Sequence, residues 1–189
     1  MKVILSFLPL IVFPIVSGFV TVGAGLWAAL VTALLVLAYD WRTSGGSVKI
    51  LNAGTFALFA ILVLAGLLAH PVWNDLWVRL AINTGLLAIV VCTIAVGRPF
   101  TLQYAREQTP REFWNAPVFL ATNYRITWVW AGAFGVSVAI GLIRIFVPAV
   151  PAWADSAIGI GALVGAGWFT AWYPKRVRAA HARPIDNAV

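Results

Sequence analysis

Apolar runs at 50–69, 79–97, 126–147 and 153–173 dominate the chain. Each is close to the ~20 residues that a helix needs to cross ~30 Å of hydrocarbon. A fifth apolar stretch, Val3 to Tyr39, would be about 55 Å long as one helix at ~1.5 Å per residue, which is too long for a single crossing. Its middle, Ser17 to Gly25, holds Ser17, Gly18, Gly23 and Gly25, residues that break or tightly turn a helix. The sequence therefore predicts a break there, giving either two short spans, 3–19 and 22–39, or a re-entrant hairpin. The expected fold class is an all-α, polytopic membrane bundle of about six transmembrane helices in one domain.

Composition agrees with this reading. Of the residues, 62% are hydrophobic and 10% charged, against ~45–50% and ~25% in soluble domains. Lipid, unlike water, solvates such a surface directly. The net charge of +7 is spread over short flanks between apolar runs, not along one face, which argues against nucleic-acid binding. Cys92 has no partner in the chain, so no internal disulfide forms. Met1, Lys2 and the following apolar stretch resemble a signal peptide in outline, but Pro9 and Pro14 interrupt it and no convincing small-x-small cleavage site follows before the next apolar run begins.

Charge sets the orientation, because loops on the cytoplasmic side collect Lys and Arg. With six spans and a cytoplasmic start, Lys2, Arg42, Lys49, Arg98, Arg106, Arg111, Arg125, Lys175, Arg176, Arg178 and Arg183 fall inside. Only Arg79 and Arg144 fall outside. Both termini, including a basic tail at 174–189, are then expected in the cytoplasm. A re-entrant first hairpin leaves the same loops on the same sides. Most of the ten tryptophans lie near span ends, the position of an interfacial belt.

The longest polar segment, 98–125, is the expected functional region. Its candidate contacts to anionic lipid headgroups or to a protein partner are Arg98, Gln103, Tyr104, Arg106, Glu107, Arg111, Glu112, Asn123 and Arg125. A helix over 100–107 would present Phe100, Tyr104 and Arg106 together at the surface, where they could equally act as simple interfacial anchors. Thr109, Pro110, Arg111 and Glu112 have the form of a capping box, so a helical turn is expected there, ending before Pro117. Arg144 is the one charge inside an apolar run, and its long stem is expected to carry the guanidinium toward the outer interface and Asp155. Asn52, Asn83 and Thr84 read as hydrogen-bonding glue between helices. Gly161 and Gly165 form a small-residue face for internal packing or for a homo-oligomer.

No catalytic constellation is visible. The six acids are scattered, and the two histidines, His70 and His181, supply neither paired haem ligation nor a zinc site. No cofactor is expected. An enzyme holding a phosphorylated lipid with the basic loop, with Glu107 or Glu112 as base, is the minor alternative.

The run Phe7, Leu8, Pro9, Leu10 at the start of the chain resembles the opening of the septation protein A family of bacterial inner-membrane proteins. Tyr39 and Trp41, Pro99 after Arg98, and Trp114, Asn123, Trp130 and Phe134 continue the likeness. Two departures are a longer step from Asn123 to Trp130 and Arg144 in place of an asparagine. The resemblance implies a non-enzymatic role in envelope maintenance, in the bacterial inner membrane, through contacts to division or elongation proteins. The alternative function is a small transporter or lipid-translocating protein, suggested by the Gly/Pro-interrupted first spans.

Overall fold

The computed structural model describes residues 5–44, 47–69, 74–147 and 149–181, and among these every regular element is helical. Lys2, Trp73, His70, Arg183 and the end of the basic tail lie outside the described residues. The helices are α1 (Leu8–Phe19), α2 (Val22–Thr43), α3 (Ile50–Ala69), α4 (Asp75–Ala95), α5 (Phe100–Arg106), α6 (Pro117–Phe146) and α7 (Ala152–His181). A 3-10 turn, Arg111–Phe113, separates α5 from α6. Four of them, α2, α3, α4 and α6, are long and apolar enough to cross a membrane. The chain is a helical membrane protein.

The predicted break falls at Val20 and Thr21. Thr21 caps α2, its hydroxyl accepting from Ala24 N at 3.1 Å. The two halves are unequal, however. At ~1.5 Å per residue the 12-residue α1 covers only ~18 Å, whereas the 22-residue α2 covers ~33 Å. Gly25, read from sequence as part of the breaker, sits inside α2 and lets α1 pack against it: a Cβ there would meet Ser17 Cβ at 2.9 Å and the Phe13 carbonyl at 3.0 Å. Conversely, the expected span 153–173 lies in the 30-residue α7, which is not among the four apolar helices. Asp155 and the glycines at 159, 161, 165 and 167 dilute its hydropathy.

The core runs through Phe13, Leu26, Ala29, Phe59, Leu86, Val90 and Phe134. Two close approaches depend on small residues: a Cβ on Gly85 would strike Leu58 at 2.5 Å, and one on Gly54 would press on Ile89 at 3.0 Å, so α3 and α4 meet tightly. Gly161 and Gly165 do not pack internally, since a Cβ on either meets nothing within 4 Å. Of the tryptophans expected in an interfacial belt, Trp27, Trp41, Trp77, Trp128, Trp153 and Trp168 are exposed, whereas Trp130 is a core residue. Its indole donates to the Thr170 hydroxyl at 3.0 Å, joining α6 to α7.

Alternation of the helices gathers Ser6 before α1, the end of α2 and the start of α3, the segment from α4 to α6 and the end of α7 at one end of the bundle. Contacts across these segments fix the arrangement: Ser6 with Tyr104, Lys49 with Glu107, and Arg125 with Tyr173. At the opposite end Arg144 donates to Asp155 at 2.9 Å, as the short hairpin suggested, and Arg79 pairs with Asp75 at 2.6 Å.

Candidate functional site

The basic end of the bundle is built around a left-handed glycine. Gly97 has φ +73°, and it ends α4 with the paired bonds of a Schellman cap, Arg98 N to Thr93 O and Gly97 N to Ile94 O, both 2.9 Å. Pro99, fully buried, then starts α5, which turns across the end of the bundle. Phe100 packs edge-on against Trp130, with ring centroids 6.4 Å apart, while Phe7 stacks flat on the same indole at 4.5 Å. The expectation that Phe100 and Tyr104 face outward is therefore corrected. Both are buried, because the end of the bundle offers them an aromatic socket that water or headgroups cannot match.

Tyr104 enters a polar latch. Its hydroxyl shares a hydrogen bond with Ser6 Oγ at 2.8 Å and donates to Asn52 Oδ1 at 3.4 Å. Beside it, the Lys49 ammonium bonds Asp40 Oδ1 and lies 2.9 Å from Glu107 Oε1. Asp40 also accepts from Lys49 N at 2.9 Å and from Asn52 Nδ2 at 3.2 Å. Gln103 Oε1 accepts from Ile50 N at 2.8 Å. Asp40 and Gln103 together thus satisfy amides at the start of α3, where a carboxylate also meets the positive end of the helix dipole.

The electrostatics of the latch are those of a closed structure. Burial pulls the Lys49 ammonium downward, but hydrogen bonds and charge from Asp40 and Glu107 outweigh it and hold the group above its ordinary value. Burial pushes the Tyr104 phenol upward, and the charges of Asp40 and Glu107 act in the same direction against the Ser6 hydrogen bond. Lys49 is thus a committed cation and Tyr104 a neutral donor. Glu107 is engaged in an ion pair with Lys49. Among the described residues no three His, Cys, Asp or Glu side chains come together as a metal site.

The other candidates divide into two groups. Arg98, Arg111, Glu112 and Arg125 are exposed. Arg106 and Arg111 flank the Trp114 ring at 5.2 and 5.7 Å, and the Trp114 indole donates to Thr109 O at 2.9 Å. The expected capping box does not form: Pro110, not Thr109, occupies the cap, and it has no side-chain hydrogen bond. Asn123 is buried, its amide donating to Phe119 O at 2.8 Å. It lies in helix because α6 begins at Pro117, so the polar connection is shorter than 98–125. Of the family-like residues, Pro9 is buried with Pro99 and Trp130, Leu10 packs on the core, and Leu8, Tyr39 and Trp41 are exposed.

Sequence reasoning overlooked Asp40 and Lys49 as partners. The available signal was one acid closing an apolar run and one base opening the next, nine residues apart.

A cavity of about 540 Å³ lies between α5, the 3-10 turn, the start of α6 and the end of α7. Phe100, Ile126 and Trp130 form its buried side, and Gln108, Pro110 and Arg178 its exposed side. Comparison with protein families, with curated proteins and with solved structures found no match.

Proposed function

We propose that this protein is a non-enzymatic membrane protein of the cell envelope, similar in role to septation protein A, acting as a docking platform for division or elongation proteins. The observation that carries the reading is the latch. Tyr104, Gln103 and Glu107 tie the segment after α4 to α1, α2 and α3, so that Arg98, Arg111 and Glu112 are presented from a rigid base. Ordering a surface before binding reduces the entropy cost of recognition. The proposed location is the bacterial inner membrane, with the latched end and both termini in the cytoplasm, as the clustering of basic residues favours. Photoreactive residues at Arg111 and Glu112 in intact cells test the platform. Capture of a division or elongation protein is the expected result, and capture of lipid alone would overturn it.

A second reading, lipid translocation or solute transport, is favoured by one observation, the cavity at the latched end. Reconstituted protein that moved neither labelled phospholipid nor solute across liposomes would remove it.

A further inference from the structure

The cavity beside α5 has walls of an uneven kind. Most of its lining is apolar, and three hydroxyls of α5, α6 and α7 that line it are already engaged: Thr101 with Asn123 O at 3.0 Å, Thr122 with Val118 O at 2.7 Å and Thr170 with Ala166 O at 2.8 Å. An occupant therefore meets hydrocarbon on the inner side. Among the described residues no acid lines the cavity, and one arginine, Arg178, does. Arg178 has no ion-pair partner among the described residues, and with Gln108 it supplies donors on the exposed side. The volume falls within the ~300–1,000 Å³ of ligand pockets.

Position adds a further constraint. The cavity sits where the apolar part of α7 gives way to Pro174, Val177 and Arg178, and where α6 begins, which is headgroup level for a bundle whose basic groups collect at this end. We infer that the cavity is a binding site for one anionic membrane lipid, with its hydrocarbon chain against Phe100, Ile126 and Trp130 and its phosphate at Arg178. The inference is independent of the docking-platform reading, because it concerns the interior between α5, α6 and α7 and not the surface of Arg111 and Glu112.

The test uses the full chain in nanodiscs of phosphatidylcholine doped with phosphatidylglycerol, followed by native mass spectrometry. One retained phosphatidylglycerol per chain is expected. Arg178→Gln, an exposed substitution, should weaken retention by on the order of tenfold, the worth of one charge-assisted hydrogen bond. Ala105→Phe, which fills the cavity, should abolish it, and Arg42→Gln, an exposed charge outside the cavity, should leave it unchanged. Equal retention of both lipids, undiminished retention in Ala105→Phe, or equal losses in Arg42→Gln and Arg178→Gln would overturn the proposal. So would displacement of the lipid by millimolar inorganic phosphate, which would mark a headgroup-only site, or a second copy of the chain bound in place of lipid.

Discussion

Lys49 and Glu107 lie 2.9 Å apart, with the lysine side chain almost wholly buried, and this pair joins the start of α3 to the end of α5. With Asp40 as the second carboxylate, one cation is shared between two segments that are far apart in sequence. Removing the cation leaves Asp40 buried with only neutral donors. Lys49→Met should therefore destabilise the protein by about 3–5 kcal/mol, the usual cost of breaking a buried pair from one side. Thermal unfolding in detergent checks this. Unchanged melting would mean that the latch contributes nothing to stability.

Tyr104→Phe keeps the ring in its aromatic socket and deletes only the hydroxyl. Ser6 and Asn52 then lose a partner, and a loss of about 1–2 kcal/mol is expected. Comparison with Tyr104→Leu, which removes the ring as well, separates the hydrogen bond from the packing. The leucine variant should melt lower than the phenylalanine one.

The latch also predicts alkaline sensitivity. Lys49 in the folded state holds its proton above its ordinary 10.5, and Tyr104 above its ordinary 10.0. A raised folded value means that the stabilisation is fully present below the unfolded value and is lost as pH rises through the folded one. Stability contributed by these two groups should thus be flat through neutral pH and decline above about pH 10. Melting temperatures measured from pH 7 to 11 should show this decline in the parent chain, and a smaller one in Lys49→Met combined with Tyr104→Phe.

Glycine substitutions discriminate between packed and open helix faces. Gly25→Ala forces a methyl against Ser17 and the Phe13 backbone, and should cost about 1–3 kcal/mol. Gly161→Ala meets open space and should change monomer stability by less than about 0.5 kcal/mol. A large loss at Gly161 in a dilute, monodisperse sample would contradict the exposed placement of that face.

The all-helical membrane class is legible in the amino-acid sequence alone, because a bilayer imposes a one-dimensional rule: an uninterrupted apolar run of sufficient length must cross, lie in the interface or be buried. The break near residue 20 and the approach of Arg144 to Asp155 were readable for similarly local reasons, a turn-forming composition and a short hairpin. The clustering of Lys and Arg at one end follows from the same alternation. Tertiary structure decided what no single segment contains. Tyr104 looked like a surface aromatic because its neighbours in sequence are polar, yet Ser6 and Asn52, 98 and 52 residues away, draw it inside. Asp40 and Lys49 looked like ordinary flanking charges until Glu107 completed the pair. Gly161 and Gly165 had the spacing of a packing face, whereas Gly25, Gly54 and Gly85 carry the close contacts, since helix rotation decides which side of a helix meets its neighbour. The apolar pattern determines which segments enter the membrane, and the meeting of segments distant in sequence determines which of their polar groups become a latch, a platform or the wall of a cavity.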